Sequence, residues 1–182
     1  MRSANVVRET AETRVQVELL LDGVGEARVS TPCSFLNHLL GAFAKHGLFD
    51  LRVEAEARID PDLHHTIEDV AIALGQAFDE ALGDRVGISR FGYAIIPMDD
   101  SLILVSVDCG GRPYVSVKAT FSKTRIGDFD TDMVEHFIRS LANSSRTTIH
   151  VLELSGSNDH HKAEAIFKAL GVAMKNAIEL QP

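Results

Sequence analysis

The residues of this chain best equipped for chemistry concentrate in two short strings. "HHTIED" begins at His64 and "HHKAEA" at His160, ninety-six positions later, so the pattern HHxxE occurs twice as His64, His65, Glu68 and as His160, His161, Glu164. Each copy opens a segment of helical apolar spacing. His38 lies 26 residues before His64, and His136 lies 24 residues before His160, which extends the match upstream. One HHxxE alone would read as a solvated helix start with acid near the positive end of the dipole. A lone His38 or His136 would read as a surface or capping residue. Two matched sets of three histidines and a glutamate favour metal binding, because they hold the donors for two four-ligand sites.

Helix geometry limits which donors can share an ion. Adjacent helical residues point ~100° apart, whereas residues at i and i+4 stack on one face. His64 therefore pairs with Glu68 and His160 with Glu164, while His65 and His161 turn elsewhere. Two metals follow, each taking one His/Glu pair plus histidines from other segments, and Asp69 falls outside the ligand set. Imidazoles and a carboxylate suit zinc, manganese or ferrous iron, with zinc favoured on affinity alone.

The elements that must hold these residues also recur. "TRVQVELLL" (13–21) alternates as a strand, and "DGVG" turns into a second strand, "EARVST". "SFLNHLLGAFAKHG" follows with helical spacing and Gly47 as a C-cap. The strand "LRVEAEARI" leads to a helix from His64 to about Gly83. The order restarts after "GDRVG" with strands at "FGYAIIP", "SLILVSVDC" and "RPYVSVKATF", then a helix over "DTDMVEHFIRSLAN". The strand "TTIHVLEL" and a helix from His160 to about Ile178 complete it. The expected class is α/β, an α+β sandwich with helices packed on sheets, built by duplicating a strands-helix-strand-helix unit. Residues 1–85 and 86–182 form the two halves of one compact domain.

Composition bounds the partners. With 182 residues, 45% of them hydrophobic, the chain can bury one good core. A net charge of -8 argues against nucleic acid and anionic membranes, which recruit clustered Lys and Arg. Cys33 and Cys109 form no CxxC pair, and the N-terminus lacks the apolar core of a signal peptide, so a reduced, cytoplasmic setting without membrane insertion is expected.

"RETAETRVQVELLLDGVG", "FLNHLLGAFAKHGLFDL", "HHTIEDVAIALGQA", "RFG", "PMDDSL", "GRPY", "FDTDMVEHF" and "SNDHHKAEAIFKAL" occur in an order that resembles the imidazoleglycerol-phosphate dehydratases along nearly the whole chain. The resemblance implies a lyase of histidine biosynthesis that converts D-erythro-imidazoleglycerol phosphate to imidazole-acetol phosphate. It implies two Mn2+ ions per active site, with His38, His64, His65, Glu68, His136, His160, His161 and Glu164 as ligands, the same eight residues that the duplication selects. It further implies a 24-subunit homo-oligomer with sites between subunits. Glu12 matches a substrate-contacting glutamate and is the first candidate for acid/base work, with Glu164 the second. Arg90, Arg112 and Lys168 match the phosphate-binding cations; without the resemblance they would read as turn or surface residues.

The chain departs from the family pattern at Asn37, where Asp is common beside the first histidine, and at Leu39, Cys109 and Gly110. An amide at 37 would orient its neighbour less strongly than a carboxylate. Family members also continue with a basic Ser/Lys-bearing tail, whereas this sequence stops at "AIELQP"; an intact chain ending there would be expected to close less well over the phosphate, and a truncated one to keep its metal sites while turnover drops. Two rival readings are a dinuclear hydrolase, which lacks an evident spare bridging carboxylate here, and a non-catalytic metal-organised assembly, which would not need Glu12, Arg90, Arg112 or Lys168.

Overall fold

A computed structural model describes residues 1–182. The first half runs β1 (Ser3–Glu9), β2 (Thr13–Leu20), β3 (Ala27–Ser30), α1 (Ser34–Gly47), β4 (Asp50–Ala57) and α2 (His64–Leu82). The second runs β5 (Phe91–Met98), β6 (Ser101–Asp108), β7 (Tyr114–Lys118), a short β8 (Arg125–Ile126) and β9 (Phe129–Asp130), α3 (Asp132–Ser145), β10 (Thr148–Ser155) and α4 (Asp159–Ile178). The sheet orders, β1-β2-β4-β3 and β5-β6-β10-β7, are the same once equivalent strands are matched. In each sheet only the last pairing is parallel.

Alternation decides which face of each strand is buried. Val15, Val17 and Leu19 of β2, like Ile103, Val105 and Val107 of β6, point inward, and their neighbours face out. The four helices lie between the two sheets, and one hydrophobic cluster runs through all these layers. Helices pair mainly across the halves, α1 with α4 and α2 with α3.

Glycines permit that pairing. A Cβ on Gly171 would stand 2.4 Å from the carbonyl oxygen of Phe43, and one on Gly75 would stand 2.8 Å from that of Leu141. Gly47, expected as the cap of α1, is its last helical residue; the left-handed position falls to Leu48, φ 55°. Gly47 is required for space instead, since a Cβ there would meet the Phe49 ring at 2.3 Å.

Two elements went unforeseen. β1 exposes most of its length and shows little apolar alternation. The β8–β9 hairpin pairs only two residues per strand, too few for a periodic signal. The segment joining the halves is pinned: Arg85 reaches Asp79 at 2.5 Å, the Ser145 carbonyl at 2.6 Å and the Cys109 carbonyl at 2.7 Å.

Replacing Gly171 with Ala should cost about 1–3 kcal/mol of stability through overpacking against backbone. Gly41→Ala, whose new methyl meets nothing within 4 Å, should instead gain roughly 0.5–1 kcal/mol from helix propensity. Denaturant midpoints of the two variants check the contrast.

Candidate metal centres

Caps set the entry of each donor-bearing helix. In α2 the Asp60 carboxylate accepts from the amides of Thr66 (2.6 Å) and His65 (3.4 Å), and Asp62 accepts from that of His64 (3.1 Å). In α4 the Asn158 side chain accepts from the His161 amide at 3.1 Å. Asp128, in the β8–β9 turn, caps α1 from a distance in sequence by accepting from Ser34 (2.6 Å) and Phe35 (3.0 Å). These contacts satisfy amides that a helix start leaves unpaired, and they fix the helix ends from which the histidines project.

Two clusters result, each drawing on both halves of the chain. His38 of α1 meets His160 and Glu164 of α4; His136 of α3 meets His64 and Glu68 of α2. Within each cluster the donor atoms lie within 4.8 Å of one another. The expected i, i+4 pairs therefore hold, and the upstream histidine comes from the other half.

Glu164 Oε2 stands 2.8 Å from His38 Nε2 and 3.0 Å from His160 Nε2, while its Oε1 accepts from Lys168 Nζ at 2.8 Å. Burial pushes this carboxyl up, but the hydrogen bonds from Lys168, His38 and His160 outweigh it and hold the pKa at about 2. In the other cluster Glu68 Oε1 is 3.1 Å from His136 Nε2, yet the angle makes no hydrogen bond, and that buried nitrogen is left without a partner. An orphaned imidazole nitrogen facing an imidazole and a carboxylate fits a divalent metal ion. The first cluster is open, with the His38 and His160 side chains 48% and 47% exposed, whereas the residues of the second are only partly exposed.

His65 and His161 stay outside these clusters. His65 Nδ1 lies 3.3 Å from Glu12 and 4.0 Å from Glu68, and His161 Nδ1 lies 2.6 Å from Asp100. The bond to His161 and those from the Asn158 and Ser157 amides hold the Asp100 carboxyl far below the usual carboxylate range. Asp69, read as no ligand, is buried and bonded to Arg8 (2.8 Å) and Thr13 (2.5 Å).

The expected phosphate cations divide. Lys168 lines a pocket of about 350 Å3 beside His38 and Glu164, together with Lys45 and His46. Burial and then the charges of Lys168 and Lys45 keep His46 below the ordinary imidazole range. Lys45 and His46 escaped the sequence reading because basic residues in the last turn of a helix serve its dipole equally well. Arg90 stands at the far end of β5–β6 from the Asp100 turn, forked onto Asp108 at 2.8 and 3.1 Å. Arg112 faces solvent near the same carboxylate. Neither reaches a cluster of its own chain. A larger depression, about 580 Å3 on the outer face of the first sheet, is lined by polar side chains such as Asn5, Glu18 and Arg52 and lacks histidine.

The Asn37 side chain makes no hydrogen bond to His38. Its amide spans Thr31, accepting from the hydroxyl at 2.7 Å and donating to the carbonyl at 3.2 Å, a pair of roles that an ionised Asp could not fill. Cys33 and Cys109 are buried, and burial pushes both thiols up to about 11, which leaves them inert. Gly110 leaves room for the Arg90 guanidinium, which a Cβ would meet at 2.7 Å.

Residues 31–174 match the family model for imidazoleglycerol-phosphate dehydratase. The chain is 48% identical to the imidazoleglycerol-phosphate dehydratase of Moorella thermoacetica and 49% identical to that of Methanosarcina mazei, over all of its own length and 92% and 94% of theirs. The crystal structure of the Staphylococcus aureus enzyme superposes with a TM-score of 0.88 at 35% identity, covering 98% of this chain and 99% of that one. That of the Pyrococcus furiosus enzyme, in complex with (S)-C348, gives 0.85 at 39%, covering 97% and 94%. No helix is long and apolar enough to cross a membrane. Full-length identity, the shared fold and two His/Glu clusters agree: the chain belongs to the imidazoleglycerol-phosphate dehydratases, the hydro-lyases of histidine biosynthesis.

Proposed function

We propose that dehydration of D-erythro-imidazoleglycerol phosphate runs here on two manganese ions, one at His38, His160 and Glu164 and the other at His64, Glu68 and His136. Each set is completed by His65 or His161 of a neighbouring copy, within the 24-subunit shell that family resemblance implies. The observation that carries this is a matched deficit and surplus: two clusters of three donors each, and two histidines turned away from both. Lacking thiolates, the donor set accepts manganese and also leaves room for zinc or iron in the purified protein.

Manganese, when bound, supplies Lewis acidity toward the substrate and a template for it. The remaining work belongs to side chains. Glu12 is half-exposed in the turn before β2, and its carboxylate has only His65 nearby, so it is free to take the carbon-bound proton. Glu164 is held by His38, His160 and Lys168 within its cluster, which suits it to the ligand role. Lys168, with Lys45 and His46 beside it, marks the anion end of the pocket, and the other cluster has Ile72 in the equivalent place. Arg90 and Arg112 serve a neighbouring copy's phosphate, Arg90 exchanging its Asp108 fork for phosphate oxygens.

Chelated protein should form no imidazole-acetol phosphate, and added Mn2+ should restore its formation. Protein that binds manganese and stays inactive would sink the proposal. Glu12→Gln should lower kcat by roughly 10²–10⁴-fold with manganese content unchanged; a full rate would remove Glu12 from the chemistry. Co-assembling His38→Ala chains with His65→Ala/His161→Ala chains should recover activity that each lacks alone, since mixed sites draw the cluster from one chain and the lone histidine from the other. Mixtures as inactive as their parents would place every ligand on one chain.

A further inference from the structure

The turn before β6 contains a second carboxylate that the family reading leaves without a role. Thr13 and Ser101 open equivalent strands, so Asp100 occupies in the second half the position of Glu12 in the first. Both acids stand beside the second histidine of an HHxxE doublet, but their surroundings differ. Glu12 lies 3.3 Å from His65 Nδ1 and its carboxylate forms no hydrogen bond.

Asp100 is held on both oxygens. Its Oδ2 accepts from the Ser157 amide (2.6 Å), the Asn158 amide (2.9 Å) and the Ser157 hydroxyl (3.1 Å), and its Oδ1 stands 2.6 Å from His161 Nδ1. The same loop grips His161 from its other side, because Asn158 Oδ1 accepts the His161 amide. An ionised carboxylate only accepts, so the proton of a neutral His161 sits on Nδ1 and the lone pair on Nε2. Apart from the carboxylate of Asp99 at 3.5 Å, which is 79% exposed, nothing engages Nε2.

We propose that Asp100 is a positioning residue that locks the ring and tautomer of His161 so that Nε2 faces outward, ready to ligate, whereas the duplicate position was left free in Glu12 for proton transfer. This rests on the assignment of His161 to a neighbouring copy's metal. The duplicated carboxylates have thus taken different tasks: Asp100 lost mobility to the 157–158 loop, and Glu12 kept it.

The test is manganese affinity, read on the intact assembly by electron paramagnetic resonance of free Mn2+ and independent of turnover. Asp100→Asn leaves one oxygen where two are needed, so one of the two manganese classes should weaken about 10–100-fold while the other keeps its affinity. Asp100→Glu retains charge but moves it off the loop amides, and it should show the same one-class loss; it serves if the Asn variant fails to fold. His161→Ala should abolish that class. A folded Asp100→Asn or Asp100→Glu protein with both classes at native affinity, or both equally weakened, overturns the positioning role. If His161→Ala also keeps both classes, the ligand assignment itself has failed; if it loses one while the Asp100 variants lose none, only the positioning role has.

Discussion

Helix pairing across the duplication is the contact on which the rest depends. α1 packs on α4 and α2 on α3 closely enough that Gly171 and Gly75 admit no side chain without backbone movement. That spacing brings His38 against His160 and Glu164, and His136 against His64 and Glu68. A half taken alone would carry an HHxxE helix without its third donor. The same contact joins the cores of the two sheets into one cluster, so the packing that supports the fold also assembles the donor sets.

Within this symmetric frame the halves have diverged where chemistry requires it. The first half backs its acid turn with a buried polar network, Arg8–Asp69–Thr13. At the matching positions the second half has Ile96, Ala165 and Ser101, and the Ser101 hydroxyl is buried without a partner. Lys168 of α4 has Ile72 as its counterpart in α2, so this cation is not duplicated. A single polarised substrate, with a phosphate at one end and a proton to lose elsewhere, needs such unlike ends.

Much of this was legible in the sequence because two periodicities reinforced each other. The period-2 runs at Val15–Leu19 and Ile103–Val107 and the 3.6-period runs from Ser34 and His64 announced the repeated unit, and the repeat then selected the eight donors. The angular argument at His64/His65 set His64 on the Glu68 face and turned His65 elsewhere, and the His64, Glu68 and His136 cluster has that arrangement. Less local features were silent. β1 shows one face weakly, Leu48 takes a left-handed position that Gly47 would have been expected to fill, and the Asp128 cap comes from 94 residues away. Asp100 was accessible through the repeat, as the counterpart of Glu12, but its lock depends on loop amides, which no side-chain pattern encodes. Arg90 and Arg112 were visible only through resemblance, and they lie away from their own chain's clusters.

Three-donor clusters, two histidines turned away from both and cations at the far end of the sheet are the features on which the proposed shared site rests. The central claim is that each chain brings donors for two metal ions, one per cluster. Elemental analysis of the purified, manganese-equilibrated assembly measures this directly. Two manganese ions per chain, falling to one when Glu68 alone is changed to Ala, is the result expected; one ion per chain or fewer in the unaltered protein would contradict it.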